Sequence, residues 1–389
     1  MAALPSDFTL LQVVPELETG GAEQTTVDVA AAVVAAGGRA IVATRGGRMA
    51  ERLAKAGGEL VELPMETKNP FVMASNARRL AALARENRVS VIHARSRAPA
   101  WSALRAARAT GTPFVATYHG VYRARTALKR RWNAVMTKGE LVIANSEYTA
   151  EHLIAEHGVD PAKVVTIPRG VDLDWFDPAR VERGRVVALC ERWGLDADDP
   201  GPKVLLAGRL TRWKGQALII EAVARLASEG GPNLMVLMAG DDQGRARYRD
   251  ELERAIARMG LSDAVRLVGH TEDMPAAYRL ADLAAAPSVE PEAFGRTAVE
   301  PQAMGRTVLA ADHGATRETV VDGETGWLVK PGDIDAWAEA LKVAVAAGPE
   351  RRDAMGEAGR QRVRSLYSVA AMTAATLDVY RRVLEERRA

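Results

Sequence analysis

The strongest constraint on the fold of this chain is an alternation of short, continuous apolar runs with helical stretches. FTLLQVV at 8–14 is followed by the loop PELETGG and then by AEQTTVDVAAAVVAAGG. In that last segment Val27, Ala30, Ala31 and Val34 recur at helical spacing, and Gly37 and Gly38 suit a C-terminal cap. RAIVAT returns as a strand, completing a βαβ unit. VSVIHA, PFVATYH and LVIANS continue the pattern as strands, with helical stretches at 75–87, 99–110 and 125–138. Unbroken apolar strands joined through helices predict a parallel sheet covered on both faces.

The alternation then runs a second time. After the polar stretch 179–202 come KVLLAG, LMVLMAG, AVRLVG, LAAAPS and TVLAAD, with amphipathic helices between them. A helix pair follows at 334–347 and 350–366, and then the long amphipathic segment YSVAAMTAATLDVYRRVLEERR. A chain of 389 residues exceeds what one core usually supports. The expectation is an α/β protein of two doubly wound, Rossmann-like domains, 1–178 and 185–366, facing a central cleft. The segment 367–389 is expected to pack back onto the first domain. Ligands of open parallel sheets bind beyond the carboxyl ends of the strands, so the chemistry belongs in those loops.

Charge and composition narrow the function. The net charge of +2 is too small for a chain that binds a phosphate backbone along its length, so no nucleic-acid partner is expected. The single cysteine, Cys190, excludes an intramolecular disulfide and fits a cytoplasmic protein; its simplest role is a small buried apolar side chain. The first residues lack a basic region, and the apolar run 8–14 is too short for a signal or spanning segment. Any membrane contact is therefore expected to be peripheral.

Two segments carry chemistry. In LLAGRLTRWKGQ a strand ends near Gly208, a helix starts near Gly215, and Arg209 and Lys214 stand in the loop between them. An Arg fork, a Lys point charge and the unpaired N–H donors of a helix end suit a diphosphate, although loop cations are also commonly solvated. In EPEAFGRTAVEPQAMG, Glu292 stands in a loop, Phe294 and Gly295 at a helix start and Glu300 on the helix. Amides near Phe294 and Gly295 suit a phosphate, and each carboxylate accepts hydroxyl donors, as a diol requires. Either glutamate alone also fits an exposed or dipole-facing role.

The paired glutamates, the GRLxxxKG loop and the start ETGGAE together resemble the family 4 retaining glycosyltransferases of the GT-B fold, of the bacterial envelope and lipopolysaccharide type. HARSRAPAWSA, TYHGVY, ANSEYTA, IPRGVDLDWF and HGATRETVVDGETGWLV extend the resemblance along the chain. It implies that Arg209 and Lys214 hold the donor diphosphate and that Glu300 binds the nucleotide ribose. Glu292 and the amides through Gly295 would hold the transferred sugar, and backbone near Val268 to His270 would meet the base. Gly20 and Gly21 would let the backbone approach donor phosphate and sugar, unless the pair merely makes a turn. His119 would face the reacting centre, unless it is a satisfied strand-end histidine. His93 carries no catalytic role in this reading. Two positions depart from the family pattern: Thr307 where proline is usual, and Pro301 inside the helix of Glu300.

The implied reaction transfers a hexose-type sugar with retention, with no cofactor and no metal; the donor is a nucleotide sugar, a UDP-sugar being the expected one. The Asp-x-Asp pairs Asp172/Asp174 and Asp333/Asp335 lie away from the phosphate loop and read as structural. YRARTALKRRWNAVMTK at 122–138 holds six Lys or Arg and no acid. As one helix it would align Leu128, Trp132, Val135 and Met136, suiting either an anionic membrane and a glycan or lipid-linked acceptor or an ordinary solvated face. A catalytically silent sugar-nucleotide binder would keep the same binding residues. A nicotinamide dehydrogenase shares the sheet type but needs a GxGxxG after a strand, which the sequence lacks.

Overall fold

The structure, a computed structural model, describes residues 4–387 apart from Thr19, Arg123 and Arg125. The chain forms two compact units, Met1–Gly170 with Val369–Ala389, and Val171–Ser368.

Seven strands build the first unit: β1 (Thr9–Val13), β2 (Arg39–Thr44), β3 (Glu59–Glu62), β4 (Val91–Ala94), β5 (Phe114–Tyr118), β6 (Leu141–Ala144) and β7 (Val164–Thr166). They lie in the order β3-β2-β1-β4-β5-β6-β7, every pair parallel. β1, β4, β5 and β6 are buried along their whole length, which is why their sequences show continuous apolar runs and not alternation. The helices start and stop on local chemistry. Asn69 caps Pro70–Glu86 ahead of a proline, Ser146 caps Glu147–His157, and left-handed Gly111 and Gly158 close their helices. The helix Val369–Glu386 packs against Gly21–Ala35, and its Tyr380 stacks on Phe8 with ring centroids 5.8 Å apart.

The second unit has six strands: β8 (Lys203–Ala207), β9 (Met235–Ala239), β10 (Val265–Gly269), β11 (Leu283–Ala286), β12 (Thr307–Ala311) and β13 (Gly326–Val329). Their order is β10-β9-β8-β11-β12-β13, again wholly parallel. Both sheets are therefore doubly wound, with order reversing between β1 and β4 and between β8 and β11. Thr307, at the position where proline was expected, is fully buried and its hydroxyl donates to the Arg352 carbonyl at 2.6 Å, tying β12 to the helix Gly348–Leu366.

Two sequence expectations are corrected. The polar stretch 179–202 contains the helix Arg183–Trp193, which buries Leu189 and Cys190 and packs on Met274–Leu280. The basic stretch 122–138 is not one helix: Ala127–Asn133 is followed by a 3₁₀ turn at Ala134–Thr137. Asn133 is buried, donating to the Tyr122 carbonyl at 3.1 Å, and the chain tightens there. Val135 and Met136 enter the core, Trp132 pairs with Trp101 at 5.6 Å, and Leu128 alone of the four is exposed. Arg123 and Arg125 of that stretch lie outside the described residues.

Trp337 is fully buried in the second unit's core, on the helix Ile334–Ala346. Trp337→Ala is expected to cost about 3–5 kcal/mol in urea unfolding. A loss below about 1 kcal/mol would mean that this core collapses around the deletion.

Candidate functional site

At the switch point of the second sheet, the loops after β8 and β11 meet. The Val289 amide donates to the Trp213 carbonyl at 2.8 Å, and Gly215, at φ 79°, comes so close to Pro287 that a Cβ would stand 2.1 Å from its carbonyl oxygen. That approach brings Lys214 to Glu292, Nζ to Oε1 at 2.5 Å, with both side chains largely buried. Ser288 Oγ donates to the same carboxylate oxygen at 2.6 Å, and Lys214 also lies 4.5 Å from the Trp213 ring centroid. Arg209 is exposed, and among the described residues its guanidinium donates to none. Of the loop's three cations, Lys214 is thus held by Glu292 and Arg212 pairs with Glu251, while Arg209 has no partner among the described residues.

Glu292 is fixed through its backbone as well. Its carbonyl accepts from the Ala315 amide at 3.0 Å, and Gly314, at φ 61°, leaves only 2.7 Å between that carbonyl and an added Cβ. The helix Arg296–Ala303 starts at left-handed Gly295, φ 82°. The Phe294 and Gly295 amides donate to no described residue, and they face the charge-favouring end of that helix. The Phe294 side chain is buried, edge-on to Tyr367.

Glu300 sits one turn into the helix, largely buried, accepting from Arg296 Nε at 2.7 Å and weakly from the Tyr278 hydroxyl at 3.5 Å. Pro301 does not break the helix, which continues to Ala303. Burial, then the Glu300 charge, pushes the Tyr278 hydroxyl well above its ordinary range, so it remains a donor. Val268 is half-buried and His270 exposed, at the end of β10 where the pairing with β9 slips between Leu267 and Gly269. Such a bulge leaves backbone groups unpaired.

The first unit carries the remaining candidates. Gly20 is extended, φ −82°, and caps the helix Gly21–Ala35, so the pair opens a helix and not a reverse turn. The Glu23 carboxylate lies over Gly20, 2.1 Å from where a Cβ would stand. His119 follows β5, and both its ring nitrogens are buried without a hydrogen-bond partner. Burial first, then the Arg169 and Arg95 charges, hold its pKa well below 6.5. A neutral imidazole with two unpaired nitrogens is costly in a finished core, which favours a ligand-facing role over a satisfied strand-end histidine. His93 is the contrasting case: its ring bonds Tyr380 and Thr117 on both sides.

Each aspartate of the Asp-x-Asp pairs has a local partner. Asp172 accepts from the Asp174 and Trp175 amides, and Asp174 pairs with Arg180. Asp333 caps Ile334–Ala346, and Asp335 pairs with Arg225. Among the described residues no three His, Cys, Asp or Glu side chains group as a metal site. Sequence reasoning did not find Ser288 or Arg296. The only available signal was their spacing, four residues before each glutamate.

His93 and His119 are both neutral when folded, their pKa values lying below the 6.5 of the unfolded chain. Below that pH the unfolded state binds more protons, so stability falls as pH falls. The expected loss is about 1.4 kcal/mol per pH unit for each histidine. Urea midpoints that stay level between pH 7 and 5 would contradict this.

Known proteins fit this geometry. Residues 191–362 match the model of the glycosyl transferases group 1, and 19–175 that of Glycosyltransferase Family 4. A glycosyltransferase from Rickettsia africae is 33% identical with a TM-score of 0.89, covering 97% of this chain and 98% of that one. Anabaena HepE in complex with UDP and glucose shares the fold at 21% identity and TM-score 0.82, covering 96% of this chain and 99% of its own. A D-inositol 3-phosphate glycosyltransferase of Kineococcus radiotolerans is 34% identical over 269 residues, 66% of this chain and 60% of that protein. The chain spans between 47% and 60% of the length of the curated relatives it matches. The two doubly wound sheets, the loop of Arg209 and Lys214, and the paired glutamates thus place the chain in family 4 of the glycosyltransferases, enzymes of the GT-B fold that transfer sugars.

Proposed function

We propose that this chain transfers a sugar from a nucleoside diphosphate donor, with retention and without a metal ion, to an acceptor held by the unit that carries His119. The observation that carries the reading is the convergence of Lys214, Glu292 and Ser288 beside exposed Arg209 and the open Phe294 and Gly295 amides. As the anomeric carbon gains positive charge, the leaving diphosphate gains negative charge. In this reading Lys214 and the helix end, held in place, and the exposed Arg209 neutralise it. Lys214 arrives already oriented by Glu292, so little reorganisation is needed. Glu300, held by Arg296, presents its carboxylate to the ribose hydroxyls, and the bulged backbone at Val268–His270 to the base. Gly20 and Gly21 bring backbone to the donor.

His119 supplies hydrogen bonds, not charge, to hydroxyls at the reacting centre, since it stays neutral. Retention follows if a donor phosphate oxygen takes the acceptor proton on the same face. HepE bound to UDP and glucose supports a UDP-sugar as donor.

The acceptor is an envelope glycan or lipid-linked sugar, met on the cytoplasmic side of the membrane through the exposed Leu128, Lys129, Arg130 and Arg131. That patch is smaller than a full amphipathic helix, because Val135 and Met136 are spent in the core. No helix among the described residues is long and apolar enough to cross a membrane. Binding to anionic liposomes at low salt is expected; its absence would sink the membrane-linked acceptor and leave a small phosphorylated acceptor, as the relatives named for D-inositol 3-phosphate suggest.

Arg209→Ala is expected to lower turnover about tenfold or more while the fold persists. A panel of UDP, GDP and ADP sugars should show thermal stabilisation by the true donor, with UDP sugars leading. Turnover near that of the unaltered chain would remove the diphosphate assignment.

A further inference from the structure

Around β4 and β5, the first unit buries a chain of polar side chains that the reaction scheme does not use. Tyr380, on the helix Val369–Glu386, is fully buried with its hydroxyl 2.6 Å from His93 Nδ1. His93 Nε2 lies 2.7 Å from Thr117 Oγ1. Thr117 stands on β5 two positions before His119, which directly follows the strand's last residue, Tyr118, so the network joins His119 through two peptide bonds. Arg95 Nη1 donates to the same Thr117 hydroxyl at 3.4 Å, and its Nε and Nη2 donate to Gln12 Oε1 at 2.9 and 2.6 Å. Gln12 Nε2 in turn donates to the Thr26 carbonyl at 2.9 Å, in the helix that opens at Gly21.

Every member is buried, and packing alone requires none of the polar groups. Most central positions of this parallel sheet are apolar, and a phenylalanine would stack on Phe8 as Tyr380 does. The ring of Tyr380 also meets His93 edge-on at 5.6 Å. A buried network in which every side chain is bonded favours one arrangement of its members, because each broken link strands a donor or acceptor away from water. The ends of this one are the last helix of the chain, the strand of His119 and the helix behind Gly20 and Gly21.

We propose that Tyr380 is a positioning residue for His119, acting through His93 and Thr117. This rests on the placing of His119 at the reacting centre. The hydroxyl of Tyr380 locks His93, His93 locks the Thr117 side chain, and the end of β5 is thereby held in the one orientation that presents the imidazole. Arg95 and Gln12 carry the same lock across to the helix of Gly21.

The test uses the full chain with Tyr380→Phe, Thr117→Val and the double variant, and His119→Ala as reference. Hydrolysis is followed with whichever UDP, GDP or ADP sugar of the panel turns over fastest. Each single variant should lower kcat about fivefold to tenfold with donor KM and UDP binding unchanged, and the double variant should lose no more than either single one. Histidine side-chain ¹⁵N NMR gives a readout independent of turnover: the His119 ring resonances should move in both single variants. Unaltered kcat and unmoved His119 resonances in folded Tyr380→Phe would overturn the proposal, as would purely additive losses that follow melting temperature. If His119→Ala keeps full turnover, the placing of His119 itself falls; if only His119→Ala is impaired, the positioning proposal alone falls.

Discussion

The candidate site depends on one close approach between two loops. Between residue 215 and the Pro287 carbonyl there is no room for a side chain, and the left-handed backbone at Gly215 would strain any other residue. Only because the loops after β8 and β11 touch there does a lysine on one reach a glutamate on the other. Glu292 is in turn held from a third side by the Gly314–Ala315 segment, where again only a glycine fits. Three loops, following β8, β11 and the adjacent β12, are fastened by backbone contact before any side chain is considered. Preorganisation is therefore a property of the fold, and the charged side chains inherit it.

The pairing of Lys214 with Glu292 also defines what a ligand must do. Two largely buried opposite charges satisfy one another at the expense of their hydration, and the net gain of such a pair is small. On the proposed reading, an arriving diphosphate would offer Lys214 a second anion and leave Glu292 with Ser288 and whatever hydroxyls the sugar brings. The site exchanges one satisfied arrangement for another without passing through an unpaired buried charge. Arg209, exposed and unbonded among the described residues, carries no such counter-ion, so its charge is the more fully available. The same logic applies to Glu300, which Arg296 neutralises from one turn away while a carboxylate edge remains for hydroxyl donors.

How much of this was legible in the sequence follows from range. The strands of both sheets announced themselves as apolar runs because they are buried on both faces, and Arg209, Lys214, Glu292 and Glu300 stood out because charge in a glycine-bounded loop is chemically conspicuous. β3, β7 and β13 escaped notice: all three are short edge strands, and β3 carries an exposed glutamate at each end. The helix Arg183–Trp193 hid in a polar stretch because it buries little beyond Leu189 and Cys190. The basic stretch misled for the opposite reason. Its apolar spacing suited a helix, but the buried Asn133 binds a backbone carbonyl and ends it. Contacts such as Lys214 with Glu292 join residues far apart in sequence, and no local pattern encodes them.

The histidines show where sequence stops and environment begins. His93 lies near the carboxyl end of β4 and His119 just beyond the end of neighbouring β5; His93 is fully buried, both ring nitrogens of His119 are buried, and burial holds both rings neutral. Nothing in HARSR or TYHGV ranks one above the other as a chemical group. The structure separates them by their partners: His93 has a hydroxyl on each ring nitrogen, and His119 has none on either. A fully bonded imidazole has no capacity left for a substrate, whereas an unbonded one lowers its free energy only when a donor or acceptor arrives. The difference between scaffold and site lies in that unmet demand, and in the first unit the scaffold histidine lies on the strand next to the one that leads into the unmet one.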